Sequence, residues 1–193
     1  MVEQSYENKI IYKTVCGVFG GNPQLFRYYD KNNENHIDIV SSVDCPQTGA
    51  SSYSTLALSD TLLSLDGTDL GLKLELLGVC ESSLEVFPRI LSTAAFCIMK
   101  TGWSCYPGMV YPDILSIYDC SKTMRHLMFI EPSIWGDQLI TLELSSKTVA
   151  WLMAVPISES EYLFWMENGP GPLETLLEEE EINLLNINRR SAI

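Results

Sequence analysis

The stretch Val149–Met166, VAWLMAVPISESEYLFWM, joins one strand to one helix with no loop between them. Val149–Ile157 is apolar and rich in strand formers, and it reads as a strand. Ser158-Glu159-Ser160-Glu161 has the S-x-x-E spacing of a capping box directly before Tyr162-Leu163-Phe164-Trp165-Met166, so a helix begins there. Upstream, Met124–Ile130 and Gln138–Leu144 read as two further strands, with Asp137 and Ser145-Ser146 near the turns, and all three are candidates for antiparallel pairing. Downstream, Asn168-Gly169-Pro170-Gly171-Pro172 interrupts the helix, and a last helix covers Leu173–Glu180.

The N-terminal part repeats the grouping of strands around single helices. Ser5 can cap a helix whose buried face holds Ile11, Val15, Val18 and Tyr6, and Gly20-Gly21 stops it before Pro23. Gln24–Tyr29 and His36–Val43 flank a polar segment and form a hairpin. Tyr53–Leu58 is a third strand. Leu72-Lys73-Leu74-Glu75-Leu76 alternates, which places leucines inward and Lys73 and Glu75 outward, after a turn at Asp66-Gly67. Ser82 or Ser83 can cap a helix over Leu84–Lys100, with Pro88 in its first turns and Gly102 at its end. The segment Gly102–Asp113 reads as an ordered surface loop. Strand groups with single helices, and no βαβ repeat, define an α+β fold with a mainly antiparallel, mixed sheet and helices packed on it. No linker or internal repeat divides residues 1–193, so one domain is expected.

Composition narrows the function classes. Of the 193 residues, 46% are apolar, enough for a packed core. No apolar run reaches the ~20 residues of a membrane span and no signal-peptide pattern opens the chain, so no membrane partner and a cytoplasmic location are expected. Cys16, Cys45, Cys80, Cys97, Cys105 and Cys120 stand singly without metal-site spacing and read as reduced, apolar side chains. The net charge of −13 opposes direct nucleic-acid binding and favours basic partners.

No catalytic or metal constellation emerges. His36 and Asp38 lie on one side of a strand and could form a hydrogen-bonded pair, the minimum of a two-ligand metal site. His126 is remote from them. Ser104 in Gly102-Trp103-Ser104-Cys105-Tyr106 lacks the second glycine of a nucleophile elbow, and Cys105 with His126 lacks an orienting group. Gly20-Gly21-Asn22 lacks the phosphate-loop pattern. No catalytic residue, metal or cofactor is therefore expected.

What remains is a glutamate-rich stretch: Glu159, Glu161, Glu167, Glu174, Glu178, Glu179, Glu180 and Glu181 occur over residues 158–181 without one Lys or Arg. A solvated helical face and an electrostatic docking patch both fit it. Trp103, Tyr106, Tyr111 or Trp135, if exposed, would supply the aromatic anchors a docking patch needs. Glu174, Glu178, Glu179, Glu180, Glu181, Trp103 and Tyr106 are thus the candidate partner-binding residues.

A pattern spread along the chain carries a family resemblance. It comprises His36-Ile37-Asp38-Ile39, Tyr53–Ser59, Leu72–Leu77, Gly108-Met109-Val110-Tyr111-Pro112 and His126-Leu127-Met128-Phe129. It continues with Pro132 and Trp135, Trp151–Ile157 and Glu161. In this order and spacing the chain resembles the suppressor-of-fused-like domain, and within it the small single-domain bacterial members. The resemblance implies a non-catalytic immunity protein, or antitoxin, that binds and neutralises a cognate protein toxin, often a nuclease. An alternative, closer to animal members, is a regulatory or scaffold protein that captures an extended peptide at a sheet edge, and a further one, a hydrolase using His36, Asp38, Cys105 or His126, requires those side chains to converge in one cleft.

Overall fold

The computed structural model describes residues 5–61, 64–65, 68–69 and 72–193. Its elements run α1 (Tyr6–Phe19), β1 (Gln24–Tyr29), β2 (His36–Val43), β3 (Ala50–Leu56), β4 (Ser64–Leu65), β5 (Thr68–Asp69) and β6 (Leu72–Glu81). They continue with α2 (Phe87–Thr101), β7 (Val110–Tyr111), β8 (Met124–Ile130), β9 (Leu142–Glu143), β10 (Thr148–Ser158), α3 (Glu159–Asn168) and α4 (Pro170–Glu179). The main sheet has the order β1-β2-β3-β6-β10-β8-β7, with β9 beside the start of β10, and β4 and β5 form a separate hairpin. Every pair is antiparallel except β6 with β10, which run parallel from Leu72/Thr148 to Leu77/Met153. The α+β class and the mainly antiparallel sheet are as read. Val149–Ile157 pairs antiparallel with β8, as expected, β10 also pairs antiparallel with β9, and its parallel pairing with β6 is an addition that the sequence reading did not contain.

That parallel pair explains the composition of its strands. Helices cover both faces of the sheet, so β6 and β10 lie at the centre of two cores. On one face, Leu76, Leu152 and Ala154 pack with Ile90, Leu91 and Ala94 of α2. On the other, Leu77, Met153 and Val155 pack with Ile11 and Val15 of α1 and Leu173 and Leu177 of α4. A strand buried on both sides carries a near-continuous apolar run, which is what Val149–Ile157 is. Pro156 is tolerated because it lies beyond the β6-paired segment.

The same two-sided burial overturns the outward placement of Glu75. Its side chain is fully buried beneath the α1 face. Thr55 Oγ1 donates to one carboxylate oxygen, and the Ser59 N–H donates to the other at 3.1 Å. Lys147 Nζ closes the network with Ser59 Oγ at 2.8 Å, the Asp60 carboxylate and Asn8 of α1. This network seats α1 and the 3₁₀ turn Leu58–Asp60 on the sheet.

Other local readings move by a few residues, each for a physical reason. Ser5 and Ser158 cap as expected, and Ser158 with Glu161 forms the full capping box. The second helix starts at Phe87 rather than Leu84, because residues 82–86 first turn over to bring Phe87 against Gly78. A Cβ at Gly78 would lie 2.3 Å from Phe87 Cε1. Neither Ser82 nor Ser83 caps it; Val86 holds that position. Only Leu142–Glu143 of the expected strand Gln138–Leu144 pairs, and Gly136–Gln138 is a 3₁₀ turn. The loop Gly102–Asp113 contains β7. Pro170 and Pro172 fall in the first turn of α4, where a missing N–H costs nothing, so a single residue separates α3 from α4. Tyr6 projects into solvent instead of packing. The expected Asp66-Gly67 turn lies outside the described residues.

Burial pushes the Glu75 carboxyl up against the opposing pull of Thr55, Ser59 and Lys147. A carboxyl with a raised folded-state pKa contributes stability that is full below the unfolded value of about 4.3 and is lost as pH rises from there through the folded-state value. Glu75→Gln keeps an acceptor for Ser59 and a partner for Thr55 without an ionisable group. Thermal unfolding between pH 5 and 8 is expected to show a flatter pH dependence for Glu75→Gln than for the wild type. Glu75→Leu strands the Ser59 N–H and is expected to lose about 1–3 kcal/mol in denaturant titration.

Candidate functional site

The junction between β10 and α3 places the candidate site. Glu161 is completely buried and receives the Arg189 guanidinium through two hydrogen bonds of 2.7 and 2.9 Å. The Ser158 and Ala192 N–H groups also donate to it, at 2.8 Å each. Burial pushes this carboxyl up, but Arg189 and the two backbone donors outweigh burial and hold it below the usual carboxylate range. Arg189 Nη2 also donates to the Pro156 carbonyl, and Ser191 Oγ meets Ser158 Oγ at 2.7 Å. The C-terminal segment is therefore strapped across the end of the sheet, and α3 and α4 are fixed against β8 and β10.

The turn Tyr106–Met109 is fixed against the same helices. The Gly108 N–H donates to the Phe129 carbonyl at 2.7 Å, and the Phe129 N–H donates to the Met109 carbonyl at 2.9 Å. Trp165 Nε1 of α3 donates to the Gly108 carbonyl at 2.8 Å. Gly108 is the residue this turn requires: its φ is +84°, and a Cβ there would lie 2.5 Å from Pro170 Cβ at the start of α4.

Between this turn, the end of β8 and α4 lies a cleft of about 430 Å³. Ile130, Val155, Leu177 and Ile182 form an apolar floor, and Glu131, Glu174, Glu178 and Glu181 surround it; among the described residues no Lys, Arg or His lines it. The Glu174 carboxyl is pushed up by burial and by the neighbouring charges of Glu178 and Glu131. A second cleft of about 710 Å³ shares Pro107 and Glu131 with the first and is lined by Tyr106, Asp137, Ile140 and Trp151 among others. The two form one surface, acidic at one end and mostly apolar at the other.

Glu174, Glu178, Glu181 and Tyr106 are thus brought together around Pro107. Glu179 lines neither cleft, and Glu180 pairs with Arg190 at 3.4 Å. Trp103 is 39% exposed and Tyr106 52%, whereas Tyr111 and Trp135, at 0% and 4%, are core residues and no anchors. Trp103 packs edge-on against Tyr111 with centroids 4.8 Å apart and lines neither cleft. Glu131, from a loop distant in sequence, completes the acidic rim and was not legible as a site residue; its only signal is its place at the end of a strand. Of the other acids of the stretch, Glu161 is occupied by Arg189 and Glu159 by His126 at 3.1 Å and Arg125 at 3.3 Å, whereas Glu167 is exposed on α3.

The remaining sequence candidates do not converge. Asp38 takes a bidentate ion pair from Arg27, at 2.7 and 2.9 Å, in place of the expected bond with His36. His36 instead faces the Tyr29 ring. His126 is buried between the Asp113 N–H, which donates to Nδ1 at 2.9 Å, and Glu159 at Nε2, so its ring is fixed as a structural link. Cys105 is a core side chain whose thiol burial pushes up to about 12, the wrong direction for a nucleophile. Among the described residues, no three His, Cys, Asp or Glu side chains form a metal-binding group, and no helix is long and apolar enough to cross a membrane.

A two-faced sheet with α2 on one side and α1, α3 and α4 on the other carries the acidic cleft at one end, and its solved structural neighbours are suppressor-of-fused-like folds. The family model for the suppressor of fused protein matches residues 33–190. Immunity protein YqcF of Bacillus subtilis is 41% identical over 187 residues, which are 97% of each chain. The chain belongs to the suppressor-of-fused family. Among solved structures, a suppressor-of-fused homologue from Neisseria gonorrhoeae superposes with a TM-score of 0.74 at 18% identity, over 96% of both chains. The Sufu–Fu complex gives 0.67 at 15% identity, over 95% of this chain and 91% of that one. Drosophila Suppressor of Fused gives 0.66 at 16%, over 94% of this chain and 50% of that one.

Gly108→Ala tests whether the turn and α4 act as one unit. The substitution is strained at its φ and overlaps Pro170, so it is expected to cost about 1–3 kcal/mol. It should also raise amide hydrogen exchange in Tyr106–Met109 and in the first turns of α4, while β2 and β3 keep wild-type protection.

Proposed function

We propose that this protein is an immunity protein that neutralises a cognate protein toxin by binding it, with no catalytic step and no cofactor, acting as a single domain in the cytoplasm. The 41% identity with immunity protein YqcF, end to end on both chains, is the observation that carries this reading. The acidic cleft supports it physically and supplies the contact surface. A nuclease toxin grips phosphate with basic side chains, and a rim of four glutamates over an apolar floor suits such side chains: aliphatic stems on Leu177 and Ile130, cations among Glu131, Glu174, Glu178 and Glu181. Glu174, which burial and its neighbours make costly to ionise, gains most from an incoming cation. Tyr106, half exposed beside the rim, is the aromatic anchor. Net charge of −13 steers a basic toxin towards the surface.

The test has two parts. Co-expression with the toxin gene expected beside it should restore colony formation to cells that the toxin alone kills, and a catalytically inactive toxin should form a one-to-one complex on size exclusion. Reversing the cleft with Glu174→Lys and Glu178→Lys should weaken that complex by at least about tenfold, chiefly at low salt, and reduce rescue. Rescue and affinity unchanged in the double variant would move the contact surface elsewhere. Absence of any rescue or complex would overturn the immunity reading itself.

A further inference from the structure

The opposite polarity occurs on the α2 face. A groove of about 650 Å³ runs between the tip of the β1–β2 hairpin, the exposed side of α2 and the 3₁₀ turn Leu115–Tyr118. Tyr28, Phe96 and Tyr118 give it apolar walls, and Lys31, Arg89 and Lys100 stand around it. Among the described residues its one lining carboxylate, Asp30, is buried and neutralised by Lys100 at 2.8 Å, leaving Lys31 and Arg89 uncompensated on a molecule of net charge −13. Arg89 is set apart from the other arginines. Arg27, Arg125, Arg189 and Arg190 each pair with a carboxylate, whereas Arg89 has no acidic partner among the described residues. It also lies in the first turn of α2, where the helix dipole repels a cation and favours an anion, so neither its own helix nor an ion pair accounts for it.

The groove is preorganised. Asp30 holds the hairpin tip through the N–H groups of Asn32 and Glu34 and the Asn35 amide, at 2.8 to 3.2 Å, and Lys100 ties that tip to α2. On the opposite wall, Tyr118 Oη donates to the Arg89 carbonyl at 2.9 Å and bonds to Thr93 Oγ1. The neighbouring Ile117 is left 64% exposed. Walls fixed in this way lose little freedom when a ligand enters.

We propose that this groove docks an acidic segment of a partner protein, its apolar side chain entering between Tyr28, Phe96 and Tyr118 and its flanking carboxylates pairing with Arg89 and Lys31. A nucleic acid would also supply anions, but its long run of phosphates would meet the repulsion of the whole −13 surface, whereas a short segment meets only the groove. The groove lies apart from the acidic cleft, with no lining residue in common, so this inference stands independently of the toxin reading.

The probe is the peptide Glu-Glu-Leu-Phe-Glu-Glu, acetylated and amidated, titrated into the ¹⁵N-labelled full chain, with a Lys-for-Glu counterpart as control. The acidic peptide is expected to shift the backbone signals of Tyr28, Arg89, Phe96 and Tyr118, and Arg89→Glu or Lys31→Glu to weaken it roughly tenfold at unchanged thermal midpoint. Two surface charge variants guard against loss of fold in either one. The proposal is overturned by equal binding of the Lys peptide, by no shifts at millimolar acidic peptide, or by affinity unchanged in both variants. It is equally overturned if inorganic phosphate or a short single-stranded DNA reproduces the same shifts.

Discussion

The buried ion pair between Glu161 and Arg189 is the constraint on which the architecture around the cleft depends. A carboxylate at zero exposure is acceptable only if its charge and its lone pairs are met, and here Arg189, Ser158 N–H and Ala192 N–H meet them. Such a pair adds little net stability over a well-packed apolar pair, yet losing one partner costs about 3–5 kcal/mol. Its main effect is therefore positional. The capping glutamate of α3 is also the receptor for the C-terminal segment, so the end of β10, the start of α3 and residues 189–192 meet at one point. That segment reaches on to other elements: the Leu185 carbonyl accepts from the Glu81 N–H at the end of β6, and the Ile187 carbonyl from Ser121 Oγ before β8.

The sequence made the local structure legible and left its pairing obscure. Ser158 and Glu161 announce a helix start by spacing alone, because a capping box is complete within four residues. The alternation in Leu72–Leu76 gave the correct strand and the correct face for Glu75 but the wrong environment, because a period of two says that faces differ, not that one of them is wet. Helices arriving from residues 6–19 and 170–179 cover the second face, and nothing inside β6 records them. The parallel β6–β10 pair is hidden for the same reason: its partners are separated by some seventy residues that contain α2 and three further strands.

The candidate site was legible to a similar depth. The glutamate-rich stretch identified Glu174, Glu178 and Glu181, but composition cannot distinguish an acid that faces solvent from one consumed internally. Glu159, Glu161 and Glu180 have partners from residues 125, 126, 189 and 190, and only the fold reveals this. Glu131 entered the rim because β8 ends beside α4. Aromatics divided in the same way: Tyr106 sits at the tip of a tight turn and is exposed, whereas Tyr111, five residues on, lies in β7 with its hydroxyl donating to the Trp103 and Ser104 carbonyls.

These arrangements bear on how the acidic cleft could bind. Its wall at Tyr106–Met109 is bonded to β8 and to Trp165, its side at α4 is held through Leu173 and Leu177 in the core, and its floor joins Ile130 of β8 and Val155 of β10 to Leu177 and Ile182. The carboxylates are thus carried on a frame that has already lost its conformational freedom, while their repulsion at Glu174 is left unrelieved. A partner's cation entering there removes a cost the free protein bears and imposes little ordering. On the proposed reading, affinity then depends on fit between two rigid surfaces, and charge governs chiefly the speed of encounter. If the cleft is the toxin-binding surface proposed above, that division between a fast electrostatic approach and a preformed apolar seat is the physical advantage of placing glutamates at the rim and apolar side chains beneath them.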